Sequence, residues 1–250
     1  MSPQSHLLAA RRVAFDASAS LAPGWSPNLI KARAYERLLL DVILGVLEPG
    51  ARLDEHQLAR RYDTGLAGVR DALGRLALEG LVIRKARSGT TVAPLDPLEP
   101  RQTRDVRLLL EPHAAALAAE HADPEEIESL AAAFEGADQA IQGGDLRSLV
   151  LMDQTFHARL AAASGNPALA GLIAPLQHRA ARFWIASLPP GGELRGRLTA
   201  DLETHRAIVL AISLRDASAA RSATTRALGV ARRGQDRLGS RPSAAPLHAA

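Results

Sequence analysis

PGARLDEHQLARRYDTGLAGVRDALGRLALEGLVIRKARSGTTV, residues 49–92, reads as two helices followed by a β-hairpin. Asp54 is placed to cap the first helix, with Leu58 on its buried face. The second runs from about Leu66 to Glu79, where Val69, Leu73 and Leu76 recur at the spacing that gathers apolar side chains on one helix face. Gly80 stops it. Leu81-Val82-Ile83 and Thr90-Thr91-Val92 read as two short strands turned through Arg87-Ser88-Gly89. Upstream, Tyr35, Leu38, Leu39, Val42, Ile43 and Val46 mark another helix from about Lys31 to Leu47, ended by Pro49-Gly50. Three helices and then a hairpin is the order of a winged helix-turn-helix.

Downstream, Pro94-Leu95-Asp96-Pro97-Leu98-Glu99-Pro100 carries three prolines, which argue against helix and mark a stiff linker over 94–100. Beyond it the chain reads as helix throughout, over about 101–121, 124–141, 145–164, 167–186, 197–214 and 216–232. Asp123-Pro124 is a cap followed by proline at the first helical position. Gly143-Gly144, Gly165-Asn166 and Pro189-Pro190-Gly191-Gly192 punctuate the series. Pro112 falls inside the first of these helices and is expected to kink it. The Ala-, Ser- and Pro-rich start, 1–28, reads as a flexible arm, and 233–250 as a disordered tail. The expected chain is therefore mainly α. It has a winged helix-turn-helix with a small β-hairpin wing over 29–93 and an antiparallel all-helical bundle over 101–232.

Composition agrees. Hydrophobic residues make up 47% of the 250 but aromatics only 3%, so Ala and Leu supply the apolar content and favour packed helices. Cysteine is absent, which rules out disulfides and thiol chemistry. No apolar run reaches the roughly 18–20 residues of a membrane span, and the N-terminus lacks the apolar core of a secretory signal. These features lead us to expect a cytoplasmic protein with no membrane partner. Residues 29–95 hold 11 Lys/Arg against 8 Asp/Glu, whereas 96–232 hold 14 against 17. A basic front and a mildly acidic back suit a nucleic-acid module joined to a sensing one.

The sequence resembles the GntR family of regulators, in the FadR-type branch whose helical effector domain is called FCD. In the front half the likeness rests on Pro49-Gly50-Ala51-Arg52-Leu53, Leu58-Ala59, Val69-Arg70-Asp71-Ala72-Leu73, and Glu79-Gly80-Leu81-Val82 followed by Gly89. In the back half it rests on Asp105-Val106-Arg107, Leu110-Glu111, Phe156-His157, Ser164-Gly165-Asn166 and Thr204-His205-Arg206-Ala207-Ile208. Each piece is weak alone, but their order and spacing over about residues 31–232 are strong. The resemblance implies a homodimeric transcription regulator, of repressor type, that binds double-stranded DNA and responds to a small carboxylate effector.

It also implies where each partner sits. A recognition helix offers its N-terminal residues to base edges while Arg and Lys hold phosphates. The family carries a Ser-Arg-Thr-Pro-like stretch at that point, and here Gly65, Leu66, Ala67 and Gly68 stand there. Leu66 offers only apolar contact, for instance to a thymine methyl. Gly65 lacks a capping hydroxyl. Arg70 keeps the family pattern, His56 matches an upstream basic position, and Arg87, Ser88 and Gly89 form the wing tip. Phosphate contacts and shape readout would then dominate.

Asp153 and His157 lie four apart on one helix, so their side chains share a face, and the pair suits Zn2+, Ni2+ or Mn2+. By resemblance His205 is a third ligand, and a fourth histidine is due at the position Ala227 occupies. Two readings stay open. Either the three residues hold a metal whose shell is completed by water or effector, or the site has lost its metal and binds an anion directly. A purely structural pairing is the third possibility. Arg107 matches the arginine lining the family's effector cavity, with Glu111 one turn on as its neighbour. Two other functions compete. One is a regulator that has lost sequence-specific DNA binding and acts as a small-molecule or protein binder. The other is a helical-bundle metalloenzyme, against which stands the lack of His-Glu-x-x-His, Gly-x-Ser-x-Gly and phosphate-loop motifs; no enzymatic activity is expected.

Overall fold

The computed structural model describes residues 30–235. The expected arm, 1–28, and nearly all of the expected tail, 233–250, lie outside them. Helices α1 (Ile30–Ile43), α2 (Glu55–Tyr62) and α3 (Leu66–Leu78) form the front domain. Asp54 caps α2, its carboxylate accepting from Gln57 N at 2.9 Å. Leu58, Val69, Leu73 and Leu76 are buried as the spacing requires, and they pack with Tyr35, Leu38 and Ile43 of α1. α1 stops at Ile43 rather than Leu47. Gly45, at φ +72, turns the chain, and Leu47 N reaches back to Asp41 O at 3.0 Å.

The wing is a sheet of three strands, β1 (Arg52–Leu53), β2 (Val82–Lys85) and β3 (Gly89–Val92), in the antiparallel order β1-β3-β2. Val82 faces Val92 and Lys85 faces Gly89 across the hairpin. Two residues are too few to show a period, so β1 was not expected. Leu53, Val82 and Val92 turn into the front core.

α4 (Glu99–His121) begins inside the expected linker. Pro100 sits in its first turn, where a missing N–H breaks no intrahelical bond. The proline argument against helix therefore holds only for 94–98. α5 (Pro124–Ala132) opens with a reciprocal cap, Asp123 accepting from Glu126 N at 2.8 Å and Glu126 from Asp123 N at 2.9 Å. The expected single helix over 124–141 is two, because α6 covers Ala137–Gly143 and Gly136 breaks the run at φ +80. α7 (Leu146–Ala163), α8 (Pro167–Ala186), α9 (Gly192–Ser213) and α10 (Ala217–Gln235) complete the bundle, with α9 starting ahead of the expected 197.

α4 lies along α10 and also touches α7 and α8. Ala115, Ala118 and Ala119 of α4 meet Ala220 and Ala223 of α10 around Phe156, Ile208 and Ile212. Small side chains let two helix axes approach closely, which is how an aromatic-poor chain builds a dense core. The two halves also share a core. Val150 of α7 and Ala181 and Ile185 of α8 pack into the front-domain cluster. No helix among the described residues is long and apolar enough to cross a membrane.

Candidate functional site

α7 and α9 bring three ligating atoms together. Asp153 and His157 share a face of α7, and His205 comes across from α9. Asp153 Oδ1 lies 3.6 Å from His157 Nε2 and 3.5 Å from His205 Nε2, and the two Nε2 atoms are 3.3 Å apart. Three ligands at about 2.0–2.1 Å from a tetrahedral zinc stand roughly 3.3 Å from one another. The triangle is thus already the size of one face of such a site.

The surrounding hydrogen bonds orient the rings. His205 Nδ1 lies 2.8 Å from the Asp201 carbonyl, which can only accept. Nδ1 therefore carries the proton and Nε2 turns its lone pair inward. His157 Nδ1 lies 2.9 Å from Gln177 Nε2 on α8. Burial alone would raise the Asp153 carboxyl, but His157 and His205 outweigh it and hold the group well below the usual carboxylate range. Burial lowers His205 despite the opposing pull of Asp153. Both shifts favour the forms a cation needs, a charged carboxylate and a neutral imidazole. Phe134 and Phe156 wall the site, their rings 5.2 and 5.0 Å from His205. Phe134 comes from the break between α5 and α6, so the departure from a single helix supplies part of the wall.

A cavity of about 80 Å³ opens at the triad. Arg107, Glu111, Trp184, Thr204, Thr224 and Ala227 contribute to its lining. Ala227 offers only a methyl group to this lining. Arg107 and Glu111 are both buried and bonded to each other twice, through Nε to Oε1 and Nη2 to Oε2, the latter at 3.2 Å. A carboxylate arriving at Arg107 must therefore compete with Glu111. Sequence reasoning missed Gln177, Asp201, Trp184 and Phe134. Asp201 is one turn before His205 and was findable by spacing. Gln177 and Phe134 come from other elements and leave no local signal.

On the opposite domain, Gly65 is the N-cap of α3 and makes no side-chain cap bond. Gly65 and Ala67 are exposed, and Leu66 and Gly68 half-buried. His56 on α2 is exposed, as are Arg87, Ser88 and Gly89 at the wing tip. Arg87 and Gly89 both take positive φ, 63° and 88°. Arg70 faces outward but donates from Nε to Glu55 at 2.6 Å, and Arg84 approaches the same carboxylate at 4.0 Å. Sequence reasoning missed Glu55 and Arg84, along with Arg52, whose guanidinium lies against Gly89.

His113 and His121 are exposed. His178, by contrast, belongs to the core. It is buried, and its Nδ1 lies 2.9 Å from Glu79 at the end of α3.

The FCD domain profile matches residues 102–229, and the profile described as bacterial regulatory proteins, gntR family, matches 30–92. Among curated proteins, the uncharacterized HTH-type transcriptional regulator YdhC of Bacillus subtilis is 29% identical over 140 residues, 56% of this chain and 62% of that one. McbR of Escherichia coli, an HTH-type transcriptional regulator, is 29% identical over 133 residues, 53% of this chain and 60% of that one. The chain thus matches about three fifths of the length of these relatives. The solved structure of E. coli McbR/YncC superposes with a TM-score of 0.72 at 22% identity, covering 84% of this chain and 99% of that one.

Proposed function

The chain belongs to the GntR family of bacterial regulatory proteins, in its FCD-domain branch, and from that premise we propose a homodimeric DNA-binding transcription regulator whose bundle senses a small organic acid through a divalent metal. The observation that carries the sensing half is the triangle of Asp153, His157 and His205, with edges of 3.3 to 3.6 Å. Edges of that length allow one ion to be held by all three residues, and their donor chemistry suits Zn2+, Ni2+ or Mn2+. An ion bound there would act as a Lewis acid, offering an open coordination position to a carboxylate. Ala227 and Thr224 leave room for that group, and Phe134 and Phe156 keep the far side dry. Arg107, held by Glu111, would fix the remote end of the ligand. A metal-free anion site fits less well, because Glu111 already neutralises Arg107.

The front domain would meet DNA through the start of α3, Gly65 to Gly68, with Arg70 and His56 on phosphates and Arg87, Ser88 and Gly89 at the wing. Arg70 would exchange Glu55 for a phosphate on binding. The domains would divide as a DNA-binding unit over 29–93 and a sensing and dimerising unit over 101–232, joined by a short proline-rich segment. The reading places the protein in the cytoplasm, without an enzymatic role.

Elemental analysis after equilibration with zinc and desalting tests the site. About one zinc per wild-type chain, lost in His157→Ala, is the expected result. A wild type that retains none would end the metal reading.

A further inference from the structure

A second cavity lies between α1 and α7. The two helices meet at Arg147, which donates to Asp41 at 3.3 Å, and at Val150, which enters the front core. Beyond Val150, Leu151 and Gln154 face a cavity of about 130 Å³ whose other wall is α1, from Glu36 to Ile43. It is larger than the cavity of about 80 Å³ at the triad, and the two share no lining residue. We propose that this cavity is a second ligand site, for a neutral molecule of phenol's size with an apolar body and one O–H or N–H donor.

The walls set the body of the ligand. Leu39, Leu40 and Ile43 are buried on α1 and Leu151 is half-buried on α7, so the lining is mostly aliphatic. An aliphatic cavity of about 150 Å³ holds a benzene-sized molecule, whereas an ordered water needs two to four polar partners. The charges set its sign. Glu36 and Arg37 add one of each to the lining, and Arg37 is exposed and donates from Nη1 to the Tyr62 carbonyl at 3.0 Å. Opposite charges side by side favour neither an anion nor a cation, and an ion loses more than a neutral group on leaving water for leucine side chains.

Gln154 sets the polar end. It is 4% exposed, and its Nε2 donates to Asp153 Oδ2 at 3.0 Å. A charged carboxylate can only accept, so the amide is fixed with Nε2 toward Asp153. The histidines of the triad face the other oxygen, Oδ1, so this orientation holds with or without an ion there. Gln154 Oε1 is left without a hydrogen-bond partner among the described residues. A buried acceptor in that state gains from any donor brought to it. Gln154 also borders a hollow of about 10 Å³, room for one water at most, so a ligand reaches the amide only from the side of α1. A carboxylate arriving there would meet an acceptor, which separates this ligand in chemistry from the acid proposed for the triad.

The test titrates phenol, and toluene as its counterpart without the donor, into the full chain carrying 13C-labelled methyl groups, followed by NMR. Phenol should bind the wild type saturably at or below about 1 mM, within reach of so small a molecule, and shift the methyl signals of Ile43 and Leu151. Leu151→Trp, which fills the cavity from its wall, should abolish binding of both compounds. Gln154→Leu should lower the ratio of phenol to toluene affinity about tenfold. No phenol binding to the wild type overturns the site, as does binding that survives Leu151→Trp or leaves the Ile43 and Leu151 methyl signals unmoved. An unchanged ratio in Gln154→Leu overturns the donor assigned to the ligand. Should Leu151→Trp not fold, the wild-type methyl shifts and the ratio in Gln154→Leu still decide both points.

Discussion

Arg70 ends in a salt bridge rather than in solvent, and that pairing gives a direct test of the DNA surface. Glu55 takes the same Nε–H that a phosphate would use. Exposed pairs of this kind contribute little to stability, so they are exchanged easily. Arg70→Ala should weaken duplex binding similarly for all sequences and lower the slope of log affinity against log salt by about one. Glu55→Gln should strengthen binding most at low salt. Fluorescence anisotropy across a salt series measures both, and an unchanged slope in Arg70→Ala would remove Arg70 from the contact set. Leu66→Arg restores a bidentate donor at the start of α3 and should change the duplex selected from a random pool; an unaltered preference would mean that Leu66 does not face bases. At this scale the sequence is legible where partners lie within a turn, as for Asp153 with His157 and Arg107 with Glu111. It is silent where they do not. Gln177 sits 20 positions from His157 and His178 sits 99 from Glu79, so no local pattern betrays either bond.

Helix interiors follow from apolar spacing, whereas their ends depend on single glycines and prolines whose effect varies with position. Pro100 starts a helix that its neighbours seemed to forbid. Gly136 breaks one that the pattern seemed to continue. At φ +80 it occupies the left-handed region, and a side chain there would meet nothing nearer than Met152 Cε at 4.0 Å. Gly136→Ala is therefore a test of backbone strain without a clash, expected to cost about 1–2 kcal/mol. The consequence reaches the triad, because the same break turns Phe134 onto His205 and Phe156. Zinc affinity should fall in Gly136→Ala along with the melting temperature. A loss of stability with unchanged zinc affinity would show that the Phe134 wall is set elsewhere. The two-residue strand β1 illustrates the opposite limit, an element too short to be read that nonetheless closes the edge of the wing.

The halves are held together by a shared apolar core and by polar contacts, Arg147 to Asp41, Arg182 to the Ala93 carbonyl and a buried cluster around Glu79, and this cluster makes their joint sensitive to acid. Glu79 faces Tyr35 and Arg75 from its own domain and His178 from the bundle. Burial works to raise its carboxyl, but His178, Tyr35 and Arg75 together bring it below the ordinary value of 4.5. Burial, and then the charge of Glu79, push the Tyr35 hydroxyl well above its ordinary value, so it stays a donor throughout. A carboxylate whose folded-state value lies below its unfolded one adds stability above the unfolded value. That stability drains away as pH falls through the folded one. The Glu79 contribution is thus whole near neutrality and fades only below the ordinary carboxylate range. Glu79→Gln removes the carboxylate charge that Tyr35, Arg75 and His178 share and should destabilise the protein by about 1–3 kcal/mol near neutral pH. Its gap in melting temperature from wild type should hold down to about pH 5 and narrow steadily toward pH 3. A gap that stays constant over that range would mean that Glu79 carries no proton-linked stability, and the joint would then rest on its apolar contacts together with the Arg147–Asp41 and Arg182–Ala93 carbonyl contacts.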